Sequence, residues 1–184
     1  MNRGDLNTLN EAKNIALTGP PGSGKSAVGR LLAETLGREF ADMDELLKQR
    51  FGCSIGDYFA AEGEASFRRA EALLCAELGA KQGLVIATGG GVLQNAQNKE
   101  HLQRNGILVN LRASLSTLEA RLKASEARPL LEGDLTFRLS ALIKERQATY
   151  DAVEIQVDTD EQSLSDVVRR IAEFVVQEEG QDKQ

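Results

Sequence analysis

Tryptophan is absent from the 184 residues, histidine occurs once, cysteine twice and proline three times, and aromatic residues make up only 4% of the chain. Cys53 and Cys75 cannot build a disulfide framework, and neither belongs to a C-x-x-C pair or a zinc-ligand spacing, so a reducing, cytoplasmic setting is expected. The lone histidine, His101, gives no basis for a His-dependent catalytic triad or a His-rich metal site and is expected on a helix surface. No apolar run approaches the roughly 20 residues that span a bilayer. The opening MNRGDLNTLNEAKN also lacks the apolar stretch of a secretion signal, so no membrane partner is expected. Positive charge is short as well: 22 Lys plus Arg stand against 28 Asp plus Glu, a formal net charge of −6. A nucleic-acid binder needs a basic face for phosphates, so no nucleic-acid partner is expected. Any anionic ligand must be held by a few placed cations.

What is present begins with Gly19-Pro20-Pro21-Gly22-Ser23-Gly24-Lys25-Ser26, a match to G-x-x-x-x-G-K-[ST]. Its context is the required one. The apolar run Asn14–Thr18 precedes it, and Val28, Leu31, Leu32 and Leu36 recur at helical spacing after it until Gly37 ends the helix. In such a loop glycines let successive N–H groups face anionic oxygens while the helix adds its positive end. Lys25 would reach the terminal phosphates of ATP, and Ser26 would ligand Mg2+.

Further buried strands are expected at 39–41, 84–88, 107–111 and 155–157, with helices between them: 44–51, 55–61, from Glu64 to about Lys81 on a Phe67, Leu74 and Leu78 stripe, a stretch sharing Leu115, Leu118 and Leu122, one ending near Ala152, and 163–177. Alternation of this kind predicts an α/β fold of three layers, a five-stranded parallel sheet flanked by helices. One domain over 13–177 is expected, with flexible ends at 1–12 and 178–184 and an exposed loop at about 125–135.

Chemistry-bearing residues cluster after the strands. Asp42 and Asp44 stand two apart at a strand end, suited to orient Mg2+ through its waters and to accept a proton from an attacking hydroxyl; a helix cap is the competing reading. Arg68 follows Glu64 by four residues, which by itself could be a surface ion pair. Gly89-Gly90-Gly91 carries an entropic penalty that close approach of backbone to a ligand would justify. Arg128, in the exposed loop before Pro129, is either a surface arginine or a cation able to close over phosphates; Arg146 has Tyr150 one turn later to pack along it.

Taken in order, these motifs together with Phe67-Arg68 and Arg128-Pro129-Leu130-Leu131 resemble those of shikimate kinases, from about Ile15 to Val176. The resemblance implies a P-loop kinase fold with a lid at about 125–135, and transfer of phosphate from ATP with Mg2+ to the 3-hydroxyl of shikimate. It implies nucleotide binding by Gly22, Ser23, Gly24, Lys25, Ser26, Ala27, Arg121 and Arg128, with Arg121 stacked on adenine. It implies metal binding at Ser26 and Asp42, and shikimate on Asp44, Arg68, Gly89, Gly90, Gly91 and Arg146. Lys25, Asp44 and Arg128 would be the catalytic residues, in a monomer. The chain departs from the family after Arg146, where Gln147-Ala148-Thr149-Tyr150 replaces a Pro-Leu-Tyr run and Val153 a frequent aspartate. A gluconate or nucleoside monophosphate kinase, or a nucleotide-binding switch without transferase activity, is the alternative reading.

Overall fold

The computed structural model describes residues 12–124 and 135–181. The elements in chain order are β1 (Asn14–Thr18), α1 (Lys25–Leu36), β2 (Glu39–Asp42), α2 (Met43–Phe51), α3 (Ile55–Gly79), β3 (Leu84–Ala87), a 3-10 turn (Val92–Gln94), α4 (Ala96–Arg104), β4 (Gly106–Arg112), α5 (Leu115–Lys123), α6 (Leu135–Asp151), β5 (Ile155–Asp158) and α7 (Leu164–Gln181). The expected five-stranded parallel sheet is present, in the order β2-β3-β1-β4-β5.

Both faces of the sheet are covered, and the period of two along each strand divides the core. Ile15, Leu17, Val85, Val109 and Leu111 pack with Val28 and Leu32 of α1 and with Val167, Ile171 and Val175 of α7. Ala16, Ile86 and Leu108 pack on the other side with Met43 and Leu47 of α2, Phe67, Leu74 and Leu78 of α3, and Leu102 of α4. β1 lies between β3 and β4, and the chain leaves the ends of β1 and β3 in opposite directions. That opens the crevice in which open α/β sheets hold ligands. Leu17 O closes its floor by accepting from both Thr88 N and Thr88 Oγ1 at 3.0 Å.

The helices expected on either side of Gly63 meet end to end in α3, and the expected break is there, Gly63 taking the non-helical φ 75°, ψ 168°. Two differences from the sequence expectation have local causes. α4 was not anticipated as a segment, because AQNKEHLQR is polar apart from one leucine, and Leu102 with Asn98 are its buried residues. α7 runs to Gln181, so the flexible end expected from residue 178 is helical through 181. Arg38, its side chain 5% exposed, bonds Glu179 at 2.7 Å and the carbonyl of Lys13 at 2.8 Å, clasping this last turn to the start of β1.

Candidate active site

The loop after β1 turns through Gly19, Gly22 and Gly24 at φ 132°, 82° and 96°, values that side-chain-bearing residues rarely adopt. Space is as restrictive as conformation, since a Cβ on Gly22 would stand 2.9 Å from the carbonyl oxygen of Leu118 in α5. Gly24 is the N-cap of α1 and offers no side chain to its first amides, which leaves the helix start open to an anion. Lys25 Nζ donates to the carbonyls of Gly19 and Pro20, both at 2.9 Å, so the ammonium sits across the loop mouth. Ser23 Oγ is fully buried and has no hydrogen-bond partner among the described residues. Ala27 lies exposed in the first turn of α1.

Ser26 Oγ donates to Asp42 Oδ2 at 2.6 Å. The other oxygen of Asp42 accepts from the amides of Asp44, at 3.1 Å, and Glu45, at 3.4 Å, capping α2. The cap reading of Asp42 holds for one oxygen, and the other oxygen faces the phosphate loop. Among the described residues no group of three or more His, Cys, Asp or Glu side chains could hold a metal alone. One hydroxyl beside one carboxylate suits Mg2+, which keeps waters and takes its remaining ligands from phosphate oxygens. Arg121 bonds Thr159 Oγ1 at 2.9 Å and Thr159 O at 2.7 Å, and reaches Gly22 O at 3.5 Å, which fixes the guanidinium at the rim of the loop.

Across the crevice the glycine triplet is crowded by the remaining site residues. A Cβ on Gly89 would meet Asp44 Oδ1 at 3.2 Å and Glu71 Oε1 at 3.3 Å. On Gly90 it would lie 3.4 Å from Pro21 of the phosphate loop, and on Gly91 3.2 Å from Arg68 Nη1 and 3.4 Å from Arg146 Nη1. The triplet thus adjoins both arginines, Asp44 and the phosphate loop, and leaves no room there for side chains of its own. α6 continues unbroken through the altered residues to Asp151, and the Arg146 side chain reaches Gly90 and Gly91. Its Nε is buried and, among the described residues, has no hydrogen-bond partner.

Two features escaped the sequence. Glu64 does pair with Arg68, at 3.2 Å, yet the closer carboxylate is Glu71, which accepts from Arg68 Nη1 at 2.9 Å with its side chain only 4% exposed. Burial pushes the Glu71 carboxyl up, against the lowering effect of Arg68; Asp44 adds to the rise and Arg146 opposes it. The i, i+3 spacing from Arg68 was visible; the burial was not. Tyr150 was expected only to pack along Arg146; it is buried beneath the triplet and its hydroxyl donates to Gly90 O at 2.6 Å. Arg128 and the expected lid, apart from Leu135, lie outside the described residues. Cys75 is a packing residue whose thiol burial raises to about 12, Cys53 is half-buried, and His101 sits partly exposed on α4. No helix among the described residues is long and apolar enough to cross a membrane.

A shikimate kinase family model matches residues 21–176. The shikimate kinase of Symbiobacterium thermophilum is 47% identical over 172 residues, spanning 91% of this chain and 98% of the relative. That of Pelotomaculum thermopropionicum is 44% identical over 164 residues, spanning 89% of this chain and 95% of the relative. Among solved structures, shikimate kinase from Acinetobacter baumannii in complex with shikimate superposes with a TM-score of 0.86 at 35% identity, over 94% of this chain and 97% of that one.

Proposed function

The chain belongs to the shikimate kinase family, and we propose how its site carries out that family's reaction, the ATP-dependent phosphorylation of shikimate in aromatic amino-acid biosynthesis. ATP bound with Mg2+ supplies the phosphoryl group and neutralises part of its charge. Gly22, Ser23, Gly24, Lys25, Ser26 and Ala27 hold the phosphates on backbone N–H groups, the Lys25 ammonium and the start of α1. Ser26 would hold the ion by its hydroxyl and Asp42 through water, and Arg121 would stack on the adenine. Arg128, in the lid expected at 125–135, brings a further cation to the transferred group.

The acceptor occupies the opposite half. Arg68 and Arg146 bind its carboxylate with the N–H groups of Gly89, Gly90 and Gly91, and Asp44 orients the ring hydroxyls and takes the proton of the 3-hydroxyl. The observation that carries this reading is the convergence of two guanidinium groups on Gly91, with Arg68 Nη1 at 3.2 Å and Arg146 Nη1 at 3.4 Å from where its Cβ would be, across a triplet that also adjoins Asp44. Guanidinium groups match a planar carboxylate, and a carboxylate matches hydroxyls. Catalysis is then positioning plus electrostatics, with little bonding left for the protein to supply. The same reading has the chain act as a cytoplasmic monomer without nucleic-acid or membrane partners, in keeping with its net charge of −6.

A coupled assay of ADP release, with shikimate, gluconate and AMP offered separately, tests the reading. Turnover confined to shikimate is expected. Release that is indifferent to shikimate, or that follows gluconate or AMP, would overturn it.

A further inference from the structure

We propose that Tyr150 is a positioning residue for recognition of the acceptor's carboxylate, acting through the peptide between Gly90 and Gly91. The inference rests on the placement of shikimate given above and concerns a residue that touches neither substrate in that placement.

The peptide group is planar and trans, so its C=O and N–H point to opposite sides. Tyr150 Oη donates to Gly90 O at 2.6 Å and draws that carbonyl toward α6. The N–H of Gly91 is thereby turned to the other side of the loop and held there. Three consecutive glycines otherwise have the freedom to flip this peptide, which would exchange a donor for an acceptor beside the two arginines. Among the described residues the backbone bonds of this loop are Val92 N to Gly89 O at 3.2 Å and Gln94 N to Gly91 O at 3.1 Å. Neither employs the N–H of Gly90 or Gly91, and neither restrains the Gly90 carbonyl.

The tyrosine is itself fixed from the sheet. Gln156 Nε2 on β5 donates to Tyr150 O at 2.9 Å and to Val153 O at 2.6 Å, while its Oε1 accepts from Asn110 Nδ2 on β4 at 2.7 Å. Asn110 is in register with Thr18, the last residue before the phosphate loop. The end of α6, and with it the height of the hydroxyl over the triplet, is therefore tied to the strands that carry the donor site. Burial raises the Tyr150 phenol above its ordinary value of 10.0, with Arg146 acting in the opposite sense, so the hydroxyl remains a donor near neutral pH.

The test compares wild type with Tyr150→Phe, which keeps the ring packing and removes only the hydroxyl. Two acceptors are used: shikimate, and its analogue in which a neutral hydroxymethyl group replaces the carboxylate. Assays run at a temperature well below each variant's Tm, so that a stability loss does not enter. For shikimate, KM is expected to rise about tenfold in Tyr150→Phe, with KM for ATP unchanged. For the analogue, kcat/KM is expected to be poor in both enzymes and to differ little between them. An unchanged KM for shikimate, a parallel rise in KM for ATP, or an equal proportional loss on both acceptors would overturn the proposal. Absence of wild-type activity on shikimate would instead sink the functional reading beneath it.

Discussion

Glu71 grips Arg68 from below: Oε2 accepts from Nη1 at 2.9 Å, and the carboxylate side chain is 4% exposed where the arginine is 38% exposed. The same Nη1 lies nearest Gly91, 3.2 Å from where its Cβ would be, while Nε and Nη2 donate to Glu64 Oε1 at 3.3 and 3.2 Å. If Arg68 binds the acceptor's carboxylate as proposed, the ion pair orients it, and its contribution should appear in substrate affinity.

Glu71→Gln keeps the shape and removes the charge. KM for shikimate should rise roughly three- to tenfold with KM for ATP within about twofold, since a charge-assisted bond contributes about 1.5–3 kcal/mol and the amide retains part of it. Steady-state kinetics with each substrate varied in turn checks this.

The same residue carries a pH signature. Its folded-state pKa lies above the ordinary 4.5, chiefly through burial, so the native state binds the proton more tightly than the unfolded chain. Glu71's contribution to stability is then largest below the unfolded value and falls as pH rises through the raised one. The Tm of wild type minus that of Glu71→Gln should shrink as pH rises from about 4 toward neutrality. A difference that grows over that range would contradict the assignment.

Asp42 divides two tasks between two oxygens, and substitutions can separate them. Asp42→Asn keeps an acceptor for the Asp44 amide but loses the charge beside Ser26, so the Mg2+ concentration at half-maximal rate should rise about tenfold with little change in Tm. Asp42→Ala should add the loss of the α2 cap, about 1 kcal/mol of stability. A Mg2+ titration and thermal melts of both variants distinguish the two effects.

Gly79, at the end of α3, lies so close to α4 that a Cβ there would come within 2.7 Å of the carbonyl carbon of His101 and nearer still to its oxygen. Alanine is the better helix former by about 1 kcal/mol, yet backbone cannot move aside as a side chain can, and overpacking costs about 1–3 kcal/mol. Gly79→Ala should therefore lower Tm by several degrees, leaving both KM values unchanged, since the crossing is remote from the triplet.

The sheet was legible because a strand covered on both faces must be apolar throughout, as Asn14–Thr18 and Leu84–Ala87 nearly are. The phosphate loop was legible because its glycines and Lys25 stand between a strand and a helix. Asp42 looked ambiguous between cap and metal group because its two oxygens face different ways, one capping α2 and the other bonded to Ser26 of the phosphate loop. Glu71 was illegible because a glutamate three residues from an arginine on a helix ordinarily marks a solvated face, and only the packing of α3 against the sheet buries it. α4 was missed because it buries an asparagine where periodicity needs an apolar residue: Asn98, whose Nδ2 donates to Val92 O at 3.0 Å.

The most direct measurement is the split of KM values in Arg68→Ala. The account has this arginine binding the acceptor's carboxylate and nothing of the nucleotide, so KM for shikimate should rise at least about tenfold while KM for ATP stays within about twofold. An unchanged KM for shikimate, or an equal rise for both substrates, would contradict the division of the crevice into a phosphate half and a carboxylate half.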